Sequence, residues 1–150
     1  MRSILVSVLG LAAACSHSTG PSDPVTALAL ARAKWFQAEV SNYQYTILRG
    51  CECLPESIGP VVIEVRDNTV QNRRYLTGTA VDPQFADLFA AVPGLFDLIE
   101  EAIHAPAAGL AVRYNPAYGY PESIQIDWVA GVVDDEVSYH ITDFVVLTAR

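Results

Sequence analysis

The sequence predicts an α+β fold, in which an antiparallel β-sheet of about six strands carries two helical regions packed on one face. Apolar residues recur at helical spacing in two segments and alternate with polar residues in six others. These segments follow one another in the order α-βββ-α-βββ. Helices on one face of an antiparallel sheet would bury both helical stripes and the apolar faces of the strands.

The first helix is expected to begin at Asp23-Pro24, because aspartate is a favoured N-cap and proline suits the first helical position. We expect this helix to end near Ser41-Asn42. Its predicted apolar stripe consists of Leu28, Ala31, Trp35 and Ala38.

Three strands are predicted after this helix. Residues 43–50, YQYTILRG, alternate between apolar and polar as in a half-buried strand. Residues 61–76 contain two strands joined by a tight turn at Asp67-Asn68, because asparagine tolerates the positive φ of a two-residue hairpin turn.

The second helical region is expected to begin at Asp82-Pro83, to be interrupted at Pro93-Gly94 and to end at Ala105-Pro106. Each half of the chain is thus a helix followed by a meander. A distant duplication would produce this arrangement, although no repeat is visible at the level of residues.

The last three strands are predicted at residues 110–114, 123–128 and 136–147, and the connection NPAYGYPE joins the first two. In the final strand, Phe144 and Val146 have the opposite parity to the preceding apolar residues. A β-bulge near Asp143 would restore the register.

The N-terminus has the pattern of an export signal. Residues 1–14 contain one arginine, a short apolar run and a group of small residues, and the run is shorter than the about 20 residues of a membrane-spanning helix. Cys15 directly after the small residues indicates a bacterial lipoprotein signal, in which this cysteine is lipidated. An ordinary secretory signal is the alternative. Residues 15–24 are predicted to be a flexible tether and residues 25–150 a single domain.

This signal predicts an extracytoplasmic protein held at the bacterial membrane by its lipid. Ser16 after the cysteine favours the outer membrane where the host has one. The formal net charge is −8, and residues 75–150 carry two arginines against eleven acidic residues. Because nucleic-acid binding needs a basic surface, we expect no nucleic-acid partner. The acidic half indicates either a solvated surface or a site for a basic partner.

Cys51 and Cys53 have three possible roles. Gly50 and Pro55 permit a kink that would bring the two sulfurs within disulfide distance, and an exported protein favours oxidation. Two thiolates could also begin a metal site, but the histidines are not spaced as partner ligands, so no metal is expected. A labile redox disulfide is the third interpretation, although the spacing is not the Cys-x-x-Cys of redox enzymes.

Tyr118 and Tyr120, in the hairpin connection, are candidate anchors for a protein partner, and packing over their own strands is the alternative. The run Asp134-Asp135-Glu136 lacks the spacing of a calcium loop and is better explained as a solvated turn. Hydrolase and phosphate-loop motifs are missing from the sequence, so we expect neither an enzyme nor a cofactor.

Several segments together resemble a known family. They are KWFQAEV, YQYT followed by CEC, VVIEVRDNTV, LFDLIEEA, VRYNPAYGYPESIQID and DDEVSYHITDF. Over roughly residues 25–147 the chain resembles DUF6174, a family of domains of unknown function found in bacterial lipoproteins. It departs mildly at Asn68, where a turn glycine is usual, and at Asn115, where an aspartate is usual. The resemblance implies a fold and a compartment, but no activity.

The first functional hypothesis is therefore a non-enzymatic binding or scaffold module of the cell envelope, tethered by lipidated Cys15 and contacting an envelope partner. The alternative is a thiol redox or metal-handling protein that uses Cys51 and Cys53. The sequence does not distinguish the oligomeric state.

Overall fold

The computed structural model describes residues 23–148 and has the predicted α+β architecture. Its elements follow one another in the predicted order α-βββ-α-βββ. They are α1 (Pro24–Gln37), β1 (Tyr43–Gly50), β2 (Val61–Arg66), β3 (Thr69–Tyr75), α2 (Val92–His104), β4 (Gly109–Tyr114), β5 (Pro121–Asp127) and β6 (Val137–Val146). Two short 3₁₀ segments, Pro55–Ser57 and Pro83–Leu88, lie in the connections.

The strands form one antiparallel sheet in the order β3-β2-β1-β6-β5-β4. Two meanders therefore meet at the central pair β1–β6. Read across the sheet, each half has the same internal order, with its third strand first, its second strand next and its first strand last. This strand order is compatible with a duplication of the two halves.

The N-terminal cap of α1 is the predicted one. The Asp23 carboxylate accepts hydrogen bonds from the backbone N–H and the hydroxyl of Thr26, each at 3.0 Å, and Pro24 occupies the first turn. The helix ends at Gln37, earlier than the predicted end near Ser41, because Glu39 adopts a left-handed conformation with a φ of 50°.

The predicted interruption at Pro93-Gly94 is wrong in position. The helical region is interrupted between Leu88 and Val92, and Pro93 lies in the first turn of α2. There its fixed φ suits the helix and its missing N–H costs no hydrogen bond, so this proline starts a helix and does not divide one.

One face of the sheet packs against both helices and forms the core. The aromatic rings at its centre belong to Tyr43 and Tyr45, which are almost fully buried. The Tyr45 hydroxyl donates to the carbonyl of Ala90, and the Val92 N–H donates to the Tyr43 hydroxyl at 3.3 Å. Burial raises the pKa of Tyr43 to about 12 and that of Tyr45 well above its usual value, so both hydroxyls stay neutral.

The predicted turn and bulge are both present. Asp67 and Asn68 have φ values of 48° and 60°, as a two-residue hairpin turn requires. In β6, Asp143 has a φ of 53°, and the register with β1 shifts between Gln44 and Thr46. The bulge returns Phe144 to the core side of the sheet.

The predicted signal peptide (1–14), the lipidation residue Cys15 and most of the tether (15–24) lie outside the described residues. Within residues 23–148, neither helix combines the length and the apolar character needed to cross a membrane.

Candidate functional site

Tyr118 and Tyr120 pack against the domain itself. Tyr120 is only 7% exposed, and its ring stacks on Phe144 with 4.2 Å between the centroids. Tyr118 is half-buried, 5.7 Å from the same ring. This geometry favours the alternative interpretation, in which the rings cover their own strands, over a role as exposed contact anchors.

The hairpin connection between β4 and β5 docks onto α1. Asn115 closes the turn by accepting hydrogen bonds from the N–H groups of Ala117 and Tyr118. The Lys34 ammonium donates to the carbonyl of Pro116 at 2.8 Å. Gly119, with a φ of 84°, lies directly against the backbone of α1. The connection between β4 and β5 therefore joins the first helix to the β4 end of the sheet.

Cys51 and Cys53 form a disulfide just after β1 ends at Gly50. The expected kink is present, because the N–H of Cys53 donates to the carbonyl of Cys51 at 3.0 Å and the two Cα atoms are 5.3 Å apart. This separation lies within the normal range for disulfides, whereas a regular strand would hold the Cα atoms about 6.5 to 7 Å apart.

A guanidinium group that was not predicted as part of the site contacts this disulfide. Arg49 Nη1 lies 2.9 Å from the Cys51 sulfur and 3.3 Å from the Cys53 sulfur. Its Nε donates to the Tyr139 hydroxyl at 3.2 Å, and the guanidinium lies 5.9 Å from the centre of that ring. Arg49, Cys51 and Cys53 are at alternate positions along the chain, so a strand would place them on the same side. This alternation was the signal in the sequence that Arg49 could contact the cysteines.

The histidines lie apart from the cysteines. His104 ends α2 and is exposed, His140 is exposed on the sheet as the alternation of its strand predicts, and His17 lies outside the described residues. Within residues 23–148, no group of three or more His, Cys, Asp and Glu side chains is arranged to hold a metal ion.

The helix-free face of the sheet contains a groove of about 660 Å³. Its floor is a row of neighbouring positions on four strands, since Ser138 lies opposite Gly50 and Gln125, and Gln125 lies opposite Ala111. Three of these four residues, Gly50, Ala111 and Ser138, are small. A Cβ on Gly50 would lie 2.4 Å from the Ser138 hydroxyl oxygen, so glycine keeps the groove open at this point.

The charged side chains that line the groove are all acidic. They are Glu52, Asp127, Asp134 and Glu136, and none of the thirteen lining residues is basic. The Oδ1 atom of Asp127 is buried and has no hydrogen-bond partner within the described chain. Asp134 and Glu136 belong to the run that the sequence pattern predicts to be a solvated turn. Both residues are exposed in the loop before β6, as predicted, and they also lie at the rim of the groove.

This groove was not predicted from the sequence. Two signals were available, namely the acidic excess of residues 75–150 and the small residues Gly50 and Ala111 at positions facing away from the core. The groove forms because β6 pairs with both β1 and β5. This pairing places Gly50 and Gln125, which are more than 70 residues apart in the sequence, on either side of Ser138.

The comparisons with known proteins give a family match and nothing beyond it. No curated protein and no solved structure matches this chain. Residues 27–146 match a family of unknown function, DUF6174, and this match spans α1 from residue 27 onward, all of α2, all six strands and every lining residue of the groove. The chain belongs to the DUF6174 family.

Proposed function

We propose that this protein is a bacterial envelope lipoprotein, anchored through lipidated Cys15, that acts as a non-enzymatic binding module. The groove on the helix-free face of the sheet is its binding site. The domain would be held at the membrane by the tether while the groove contacts its ligand.

The groove is the observation that carries the proposal. Its volume of about 660 Å³ lies within the usual range for ligand sites in proteins. Its floor supplies a hydroxyl at Ser138 and an amide at Gln125, and its rim supplies carboxylates. Cys51 is the one sulfur-bearing residue of the lining, and it is held in a disulfide, so it offers no free thiol for a covalent bond to a ligand. The hydroxyl, amide and carboxylate groups favour reversible, noncovalent binding.

The anchor rests on residues 1–15. An apolar run followed by small residues and a cysteine is typical of lipoprotein signals, and the polar segment that follows suits a tether. Intact mass spectrometry of the chain purified from membranes tests this part directly. A mature chain that begins at Cys15 and carries acyl groups supports the anchor, and a chain cut elsewhere without acyl groups contradicts it.

The binding role is tested with a photo-crosslinking amino acid placed at Gln125, on the exposed floor of the groove. The matched control carries the same group at Glu101, which is exposed on α2. After irradiation of intact cells, we expect a discrete adduct from position 125 and none from position 101. Equal adducts at both positions, or none at position 125, would contradict a binding role for the groove.

A second candidate function, thiol redox chemistry, is favoured by the contact between Arg49 and both sulfurs. A neighbouring guanidinium stabilises a thiolate, and the thiolate is the reactive form of cysteine. Reduction by an external dithiol would give Cys51 and Cys53 as thiols while the dithiol closes to its own disulfide. Arg49 would then lie beside the reduced sulfur that it contacts and stabilise its thiolate form.

For this redox candidate, we expect Arg49→Gln to make the disulfide harder to reduce by about threefold in the exchange equilibrium, the size of a partly exposed charge contact. Arg49→Lys should retain most of the effect because it keeps the charge. Arg74→Gln, which removes an arginine from the edge strand β3, is the control. Equilibration in dithiol buffers, alkylation and mass analysis give the reduced fraction. Identical reduced fractions for Arg49→Gln and the unchanged protein would eliminate this candidate.

A further inference from the structure

We propose that the groove binds an extended polypeptide segment rich in lysine or arginine, and that this segment pairs its backbone with the free edge of β4. This inference names the ligand class of the proposed binding site and therefore rests on the proposed function. Two independent features carry it, namely the charge of the groove and the state of the two edges of the sheet.

The charge of the groove selects a cationic ligand. Four carboxylates, from Glu52, Asp127, Asp134 and Glu136, line it without a lysine or arginine to neutralise them. An unpaired, buried carboxylate oxygen is unfavourable, as at Asp127 Oδ1, and an N–H donor from a ligand would offset that cost. Complementary charge also speeds association and rejects acidic ligands.

The edge of β4 supplies backbone groups for an extended ligand. The N–H of Ala108 donates to the carbonyl of Trp128, so positions 108, 110 and 112 direct their backbone groups toward β5. The alternate positions, Gly109 and Ala111, direct theirs outward. Both residues line the groove, and within residues 23–148 no further strand pairs with β4.

The opposite edge of the sheet is protected. Residues 79–81 cover part of β3, through a bridge between Arg74 and Ala80 and hydrogen bonds at Tyr75 and Arg73. The strand β3 is also rich in polar and charged side chains, as TVQNRRY, whereas β4 reads GLAVRY. Proteins usually protect an exposed strand edge with charge or cover. The edge of β4 has no cover among the described residues, and its one charged residue, Arg113, is paired with Glu122. Such an edge beside an acidic groove fits strand addition by a basic peptide.

The probe is a fluorescein-labelled peptide of alternating lysine and threonine about ten residues long, which exceeds a typical strand of about five to six residues. Three further probes separate charge from backbone pairing. The first is the matching glutamate–threonine peptide, the second is the lysine–threonine peptide with N-methyl groups on alternate backbone nitrogens, and the third is spermidine as an unlabelled competitor. Binding to the full chain is followed by fluorescence anisotropy.

We expect the lysine–threonine peptide to bind, the glutamate peptide not to bind, and the N-methylated peptide to bind more weakly. The double variant Glu52→Gln/Glu136→Gln should weaken binding by about fivefold, the combined size of two exposed charge contacts. The control Asp87→Asn/Glu101→Gln removes the same charge from exposed positions outside the groove and should bind as the unchanged protein does.

Equal affinity of the groove variant and the control variant would overturn the cationic part of the inference. Equal affinity of the methylated and unmethylated peptides, or full displacement by an equivalent concentration of spermidine, would overturn strand addition. A crosslinked adduct at position 125, together with indifference to every lysine peptide, would show that the groove binds another class of ligand. In that case the inference about the ligand class is wrong, and the proposed binding function stands.

Discussion

The Gly119→Ala variant is expected to lose about 2 to 5 kcal/mol of unfolding free energy, the sum of left-handed backbone strain and overpacking. A Cβ at this position would lie 2.5 Å from the carbonyl oxygen of Ala31 and 3.2 Å from the backbone nitrogen of Trp35. The neighbouring atoms belong to the backbone of α1 and cannot rotate away, so the helix and the hairpin must separate.

Gly78→Ala is the matched control, because Gly78 also has a positive φ, of 90°, but a Cβ added there would have no neighbouring atom within 4 Å. This variant should lose only the backbone contribution, about 1 to 2 kcal/mol. Urea unfolding followed by circular dichroism gives both values. A loss at Gly119 no larger than that at Gly78 would contradict the close docking of the hairpin on α1.

This docking gives the hairpin motif a role in the packing of the domain. Pro116 accepts a hydrogen bond from Lys34, Gly119 permits close approach, and Tyr120 fills the space behind it. The sequence indicated a turn rich in special residues. It could not show that a helix about 80 residues earlier in the chain packs against this turn.

Local patterns predicted most of the fold. The Asp23 cap, the Asp67-Asn68 turn and the bulge at Asp143 each follow from residues within a few positions of one another, and all three are present. The position of the break before α2 was wrong because a proline can either divide a helix or begin one. Only the packing of the surrounding chain decides between these roles.

The candidate site was less predictable, because it depends on strand order. Two halves that each consist of a helix and a meander can be joined into a sheet with several different strand orders. Only the pairing of β1 with β6 places Gly50 beside Ser138. The carboxylates then gather from a loop after β1, the end of β5 and the loop before β6. The disulfide was predictable because its two cysteines are only two residues apart, whereas its contact with Arg49 depends on the conformation of that long side chain.

Phe144 is expected to be the aromatic residue of β6 on which the core depends most. Its ring lies 4.2 Å from that of Tyr120, 5.6 Å from that of Tyr43 and 6.0 Å from that of Trp35. It therefore joins α1, β1 and the β4–β5 hairpin. The Phe144→Ala variant should lose about 3 to 5 kcal/mol of unfolding free energy, the usual cost of removing a large aromatic ring from a packed site.

The control for this substitution lies two residues further along the same strand. Val146 is 50% exposed, so Val146→Ala should change the unfolding free energy by about 0.5 kcal/mol or less. Urea unfolding gives both free energies, and the near-ultraviolet circular dichroism of the folded variants reports the packing of the aromatic rings. If Phe144→Ala were as stable as Val146→Ala, the bulge at Asp143 would not be placing this ring in the core, since only a residue facing solvent can be truncated at so small a cost.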